Sequence, residues 1–325
     1  PEEAPGLAHG FMRRELNDVV QIGHGGSTRV FLSIMWLAPE LDIGVYASSN
    51  TGGEGIGPRV GNRIFERLTG MPDVRLDVDA NGAAIEPAPF VGDYLANRRS
   101  FTTLARAAAR NVTVAVRAID DEPGLLAVRL GDTTRRFAPV DGVPDVFEDR
   151  AGQRIRFVRE AGDVVAVDTP LGVHSHERVG GIDHPRTLNL VGAATLLLAV
   201  TLLLGAWRRW KLVPESTAQG RQAAWAGSLS AIVVLAYLVV LVIALVSVAR
   251  MTDYTEYPTP AIVALAASGW ALVAASIAMV FGTAQAWRGA GWGWWRRIHY
   301  TAFALALVAC TGLLWHWNFF GTPLA

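Results

Sequence analysis

The sequence predicts an α+β fragment, then a small all-β sandwich or barrel domain, then a four-helix transmembrane bundle. Three observations predict this order. Residues 18–50 contain two apolar runs joined by a turn, residues 85–180 consist of short alternating runs separated by Gly, Pro and Asp, and the C-terminal part contains four stretches without formal charge. The domain boundaries predicted from these patterns are 1–72, 73–182 and 183–325.

The first domain is predicted from a strand–turn–strand–helix pattern. "RVFLSIMWLA" (29–38) and "DIGVYASS" (42–49) are rich in β-branched and aromatic residues, and "PELD" between them is typical of a tight connection. They predict an antiparallel hairpin, with "DVVQI" as the preceding strand. An amphipathic helix laid on the sheet is predicted next, because apolar residues recur every fourth position at Ile56, Val60, Ile64 and Leu68.

The stretch "QIGHGGSTRV" (21–30) holds the candidate site residues of this domain, which are His24, Gly25, Gly26, Ser27 and Thr28. Two adjacent glycines allow another backbone to approach closely, since a Cβ there would obstruct it. On its own, however, the stretch is also typical of a bulged strand or a turn with a solvated histidine.

With its flanks, this region resembles the class C β-lactamase-like serine hydrolases, which include penicillin-binding-protein-like peptidases and esterases. The resemblance rests on "GLAHGF" (6–11), "GHGGSTRVFLSIMWLAPELDIGVYASSN" (23–50) and the following helix. It implies that His24 belongs to the family's H-x-G motif and that the backbone N–H of Ser27 is a donor to the oxyanion of the reaction. It also implies that Gly25, Gly26 and Thr28 border the substrate, and that neither a metal nor a cofactor takes part.

The nucleophile motif of that family, S-x-x-K, is absent from this chain. Lys211 is the only lysine, and the residue three positions before it is Arg208. The chain also starts at Pro1, without a methionine or a leader segment. We therefore expect the C-terminal portion of a membrane-anchored serine hydrolase of peptide, amide or ester substrates, inactive as this fragment. The alternative is a non-catalytic binding or sensor protein on a degenerate hydrolase scaffold.

The middle region resembles the lipocalin-like domain that follows the hydrolase domain in some members of the family, on the basis of "GDY" (92–94) and "NRRSFTT" (97–103). Its Arg98, Arg99, Arg135 and Arg136 are compatible with an acidic ligand or with solvated strand and loop positions. The histidines at 174, 176 and 184 allow a zinc site, although the alternation along a strand and the linker argue against one. The sequence carries no nucleic-acid-binding signature.

The membrane domain is predicted from the charge-free stretches 187–207, 222–249, 257–287 and 298–325, each long enough for the roughly 20 apolar residues of a bilayer span. The predicted spans are about 187–207, 225–249, 259–284 and 298–318. Buried helices of a large soluble protein are the alternative. Asp, Glu, Lys and Arg are missing from the spans, which argues against a transporter. His299 and His316 stand at opposite ends of the fourth span, where an interfacial position is favoured over a cofactor role.

Orientation follows from the charge of the connecting segments. Residues 1–186 carry 21 arginines and 26 acidic residues, whereas the remainder carries 8 basic and 3 acidic residues. The net charge of zero therefore results from a negative N-terminal part and a positive C-terminal part. The basic residues lie mainly in the first and third connections, which the positive-inside rule assigns to the cytoplasm. We expect a multi-pass protein of the cytoplasmic membrane, with residues 1–186 and the C-terminus outside the cytoplasm. The expected partners are the lipid bilayer and an acyl, peptide or ester substrate. The sequence does not indicate an oligomeric state.

Overall fold

The structure, a computed structural model, describes most of the chain in two compact units. The described residues are 6–16, 19–28, 31–50, 56–69, 85–108, 114–122, 124–150, 152–170, 175–212, 215–251 and 257–320. The first unit comprises residues 1–98 and 111–180, and the second comprises residues 99–110 and 181–325. Residues 99–110 therefore interrupt the first unit in sequence but belong to the second unit.

The first unit begins with a five-stranded antiparallel sheet in which sequence neighbours pair in order. Its strands are β1 (Gly6–Ala8), β2 (Phe11–Leu16), β3 (Val19–Ser27), β4 (Leu32–Ala38) and β5 (Ile43–Ser49). A short 3-10 turn, Pro39–Leu41, joins β4 to β5, and Asp42 follows it in the left-handed conformation. The turn residues "PELD" thus form the connection that their composition predicts.

Helix α1 (Ile56–Leu68) covers one face of this sheet. The face is apolar because alternate residues of β4 point toward the helix, and Ile34, Trp36 and Ala38 are buried there against Phe65. The indole Nε1 of Trp36 donates a hydrogen bond of 2.7 Å to Oδ1 of Asn62, which fixes the helix on the sheet.

The side of α1 that packs on the sheet is not the predicted one. Gly57, Gly61 and Phe65 are buried, whereas the apolar stripe Ile56, Val60, Ile64 and Leu68 is 45–55% exposed. The physical reason is close approach: a Cβ on Gly61 would stand 2.7 Å from the Cβ of Ala47, and one on Gly57 would stand 2.7 Å from the backbone of β5. The glycines let the helix backbone reach the sheet, and this contact outweighs the apolar periodicity.

The first unit continues with a closed eight-stranded antiparallel barrel in which each strand pairs with its sequence neighbours and the last pairs with the first. Its strands are β6 (Gly92–Ala96), β7 (Val114–Ala118), β8 (Leu126–Leu130), β9 (Thr133–Pro139), β10 (Val146–Asp149), β11 (Arg154–Glu160), β12 (Asp163–Asp168) and β13 (Ser175–Val179). Closure comes from the pairing of β13 with β6, with His176 opposite Ala96 and Val179 opposite Asp93. A closed barrel has no free sheet edge.

The barrel interior is filled by side chains. Phe90, Phe147 and Phe157 pack edge-on or tilted at centroid distances of 4.8–5.4 Å, and Tyr94 lies beside them. The Tyr94 hydroxyl donates a 2.6 Å hydrogen bond to the carbonyl oxygen of Phe90. Burial raises the pKa of Tyr94 to about 12, although the positive charge of Arg178 opposes the shift.

The predicted fold class is therefore wrong at two points. The first domain is not a hairpin with a helix, because β1 and β2 extend the sheet to five strands. The second was predicted as a small sandwich or barrel, whereas it is a large closed barrel of eight strands. β1 has only three residues, too few to show an alternation, and closure of the barrel depends on the pairing of β13 with β6, which no local pattern records.

Among the residues that the structure describes, the second unit, here called the helical unit, contains four helices long and apolar enough to cross a bilayer, as the sequence predicts. They are α3 (Pro185–Leu212), α4 (Ala218–Arg250), α5 (Pro260–Arg288) and α6 (Trp294–His316). A shorter helix, α2 (Ala105–Ala108), also belongs to this unit. Hydroxyl groups link the helices internally: Thr195 donates to the carbonyl of Ala306 (3.0 Å), and Tyr300 donates to that of Ala223 (2.8 Å).

Candidate functional site

The predicted site residues lie at the end of β3, where the strand is paired on one side only. The pairing of β3 with β2 ends at Gly23, opposite Met12, because β2 starts at Phe11. The pairing of β3 with β4 continues to Ser27, opposite Leu32. Among the described residues, no strand pairs with Gly25–Ser27 on the β2 side. Three residues of β3 thus present an open backbone edge.

The direction of the backbone groups on this edge follows from the hydrogen bond that ends the strand. The N–H of Thr28 donates to the carbonyl oxygen of Phe31 at 2.8 Å, toward β4. Because successive residues of a strand direct their N–H groups to opposite sides, the N–H of Ser27 points away from β4, to the open edge. An N–H in this position can donate to a ligand laid along the strand.

The Thr28 hydroxyl is engaged in the turn between β3 and β4. Its Oγ1 accepts a hydrogen bond of 3.0 Å from the backbone N–H of Phe31. The side chain therefore stabilises the end of the strand pair. Of the two polar residues after the glycines, Ser27 contributes a backbone donor to the open edge and Thr28 contributes turn geometry.

His24 is exposed on the sheet face opposite α1. It lies across from Met35 in the register, and its ring meets that of Phe11 edge-on at a centroid distance of 6.0 Å. Tyr46, which is opposite Met35 on β5, is 70% exposed on the same face. The imidazole is thus beside the open edge and reachable by a ligand placed against it.

The three glycines of β3 have different surroundings. A Cβ on Gly23 would stand 2.2 Å from the Trp36 ring, and one on Gly26 would stand 2.6 Å from the Ser33 Oγ. A Cβ on Gly25 would meet nothing closer than 3.7 Å. Packing within the sheet thus accounts for Gly23 and Gly26, whereas it leaves room for a side chain at Gly25.

The sheet and its helix carry apolar surface that the described residues leave uncovered. Leu37 and Tyr46 are exposed on the sheet face that bears His24, and the stripe Ile56, Val60, Ile64 and Leu68 is exposed on α1. These two apolar surfaces lie on opposite sides of the sheet and helix, and exposed apolar surface is a feature of interaction sites.

The other candidates from the sequence are dispersed. His176 is buried in the barrel, His184 accepts a hydrogen bond from the N–H of Arg186 at 3.0 Å, and His174 lies outside the described residues. Within the part of the chain that the structure describes, no three metal-ligating side chains are grouped. His299 bonds with the Thr201 hydroxyl at 2.9 Å. Arg99 stacks on Phe101, whereas Arg135 and Arg136 line one cavity on the barrel.

The helical unit contains a polar cluster that the sequence patterns do not predict. His316 Nε2 lies 2.7 Å from Asp183 Oδ1 and 3.2 Å from an Arg106 guanidinium nitrogen, and Arg106 lies 3.5 Å from Asp183. Asp183 Oδ1 accepts a hydrogen bond from His316 Nε2 and forms an ion pair with Arg106. The three residues are far apart in sequence, so no local pattern could reveal them.

The cluster fastens the segment before α2 to the end of α6. The Asn318 amide donates to the carbonyl oxygen of Phe101 at 2.9 Å, and the Trp317 indole donates to that of Ile182 at 3.2 Å. Arg106 also lies over the Trp317 ring, 5.3 Å from its centroid. The geometry is that of a structural clamp, since each polar group has a partner within the unit.

Comparison with known proteins gives little. No protein-family profile and no curated protein matches the chain. Among solved structures, SurE and its complex with D-Leu each show 21% identity and a TM-score of 0.30, over 55% of this chain. The octameric penicillin-binding protein homologue from Pyrococcus abyssi shows 15% identity and a TM-score of 0.19, over 53% of this chain. The chain spans 36–40% of the length of these structures, and likenesses this weak assign neither a family nor an activity.

Proposed function

We propose that this chain is the C-terminal portion of a membrane-anchored, extracytoplasmic serine hydrolase of the penicillin-binding-protein-like type. The observation that carries the proposal is the open edge of β3, where the Ser27 N–H points away from β4 next to the exposed His24. In acyl hydrolysis, a backbone N–H so placed stabilises the negative charge that develops on the carbonyl oxygen.

The uncovered apolar surfaces support the same proposal. In the proposed full-length protein, the sheet face of His24 and the exposed stripe of α1 pack against the region that carries the nucleophile and its base. The reaction forms a serine ester and transfers its acyl group to water. The present chain has no S-x-x-K sequence and supplies one wall of the pocket.

The test is covalent labelling of the complete protein in membranes with a fluorescent penicillin and with a fluorophosphonate. Ser27→Pro removes the backbone N–H, whereas the matched control Ser27→Ala keeps it. We expect the alanine variant to label at the native rate and the proline variant to label about 10²–10³-fold more slowly, the usual effect of losing one oxyanion donor.

Hydrogen exchange of the β3–β4 peptides shows whether the proline variant keeps its sheet, so that a folding defect is not mistaken for a lost donor. The present chain alone should not label with either probe. If the complete protein does not label either, the second candidate function holds: a non-catalytic binding or sensor protein. The absence of S-x-x-K from this chain is the observation that keeps that candidate open.

A further inference from the structure

One mouth of the barrel, where the β8–β9 and β10–β11 turns lie, carries polar residues on the interior face of its strands. Arg135 stands opposite Val128, which is fully buried in the core, and Asp149 stands opposite Phe137, which is also fully buried. Since residues on one face of a strand alternate, Arg135 and Asp149 continue the interior rows of Phe137 and Phe147. The apolar core therefore ends in a charged layer at this mouth.

Arg135 is held rigidly in this layer. Its Nη1 donates to Asp149 Oδ2 at 3.1 Å and to Gln153 Oε1 at 2.6 Å. The Asp149 side chain is only 5% exposed, and its Oδ1 accepts a 2.9 Å bond from the N–H of Gln153. A guanidinium has five N–H groups, so two bonds from Nη1 leave the other nitrogens of Arg135 available as preorganised donors.

Two further guanidinium groups line the same cavity, and strand alternation places them on the outer side of the barrel wall, next to the interior residues Arg135 and Asp149. Arg136 pairs with Glu122 at 2.7 Å, but both side chains are substantially exposed, at 54% and 34%. An ion pair of this kind contributes about 0–1 kcal/mol, so a better anion can displace the glutamate. Arg150 is exposed in the β10–β11 turn, and the described residues offer it no ion-pair partner.

These groups share one cavity of about 500 Å³, here called the arginine pocket, which is lined by Thr134, Arg135, Arg136, Asp149, Arg150 and Gln153. A volume of this order is within the usual range for a small-molecule site. We propose that the arginine pocket binds the phosphate group of a small ligand. This inference does not depend on the proposed hydrolase function.

Charge and donor number favour phosphate over carboxylate. Asp149 balances Arg135, which leaves the charges of Arg136 and Arg150 for the ligand once Glu122 is displaced. A phosphate monoester carries about −1.5 to −2 charges at neutral pH and three strong acceptor oxygens. A monocarboxylate has one charge and two oxygens, so it would leave one guanidinium unmatched.

The test is isothermal titration calorimetry on the full chain in maltoside micelles, which contain no phosphate. Inorganic phosphate and glycerol 3-phosphate are the probes, and acetate and succinate are the comparison anions at equal ionic strength. We expect saturable binding of a phosphate probe at least about tenfold tighter than either carboxylate, as for an added charge-assisted hydrogen bond. The tighter of the two probes tells whether free phosphate or a phosphate ester is the ligand.

Arg150→Gln and Arg136→Gln remove one exposed guanidinium each. The matched control is Arg117→Gln, because Arg117 is an arginine of the same barrel, 53% exposed and paired with Asp93. Each pocket variant should weaken phosphate binding by about tenfold or more, while the control should leave it unchanged. The proposal is overturned if phosphate does not bind saturably, if succinate or acetate binds as tightly, or if Arg117→Gln weakens binding as much as the pocket variants.

Discussion

Single residues decide how closely the first sheet packs. Gly23 lies in the middle of β3, and the Trp36 ring occupies the space where a side chain would point. Gly25, two positions further along, has no such neighbour within 3.7 Å. The two glycines look alike in the sequence "GHGG", but one is required by packing and the other is not. A matched pair of alanine variants separates the two cases.

Gly23→Ala should destabilise the sheet by about 1–3 kcal/mol, because the new methyl group forces the Trp36 ring or the β4 backbone to move. Gly25→Ala should leave the stability of the sheet unchanged. Hydrogen exchange of the β3 and β4 peptides in the full chain measures both effects, since local opening reports local stability. Equal protection in the two variants would show that the Trp36 ring accommodates the methyl group without cost.

At the scale of elements, the sequence predicted the existence of α1 and the strand pair before it, but not the contact between them. The predicted contact used the stripe of Ile56, Val60 and Ile64, whereas the structure uses Gly61 and Phe65. Periodicity locates an apolar face, but it does not include the gain from close backbone approach. The open edge of β3 could likewise not be predicted from the sequence, because it depends on the residue at which β2 starts.

In the connection between α3 and α4, the Glu215 carboxylate contacts residues near the start of α6. Glu215, between α3 and α4, accepts a 2.9 Å hydrogen bond from the Trp292 indole and bonds with Arg296 at the start of α6. Burial alone would raise the pKa of the Glu215 carboxyl, but the hydrogen bonds from Arg296 and Trp292 and the charges of Arg296 and Arg209 outweigh it, so the pKa is lowered.

Glu215→Gln should destabilise the helical unit by about 1–3 kcal/mol, because the charge-assisted bonds are lost. A lowered pKa in the folded state means that the carboxylate stabilises the fold above its ordinary pKa of about 4.3 and loses this effect as the pH falls through the lowered value. The midpoint temperature of thermal unfolding in detergent should therefore fall more steeply from neutral to acid pH for the native chain than for the variant.

The control for this experiment is Glu122→Gln, which breaks an exposed ion pair with Arg136 and should change stability little. If Glu122→Gln and Glu215→Gln behave alike at neutral pH, the Glu215 contacts do not hold the helices together.

At the scale of the whole molecule, what the sequence could predict depends on the environment of each part. A bilayer span must satisfy its backbone internally and remain apolar over its length, so four charge-free windows were sufficient to locate the helices. Barrel closure joins β6 to β13, and the residues that pair are about 80 positions apart. No local pattern records such a pairing, which is why the closed barrel was predicted only as a small sandwich or barrel.

The orientation of the protein in the membrane is the property of the whole chain that the sequence predicts most directly. The helix ends beside the first connection carry Arg208, Arg209, Lys211 and Arg221, and those beside the third carry Arg288, Arg296 and Arg297. We propose that both are cytoplasmic by the positive-inside rule, which places the barrel and the site on β3 outside. Accessibility of single cysteines to a membrane-impermeant maleimide in intact cells tests this orientation.

Cys310 is the only cysteine, so Cys310→Ser provides a background without thiols. In that background, Asp120→Cys places a thiol in the exposed β7–β8 turn, and Gln222→Cys places one at an exposed position near the start of α4. We expect Asp120→Cys to label in intact cells and Gln222→Cys to label only after permeabilisation. The reverse pattern would place the β3 edge in the cytoplasm, and the proposal of an extracytoplasmic hydrolase would then have to be abandoned.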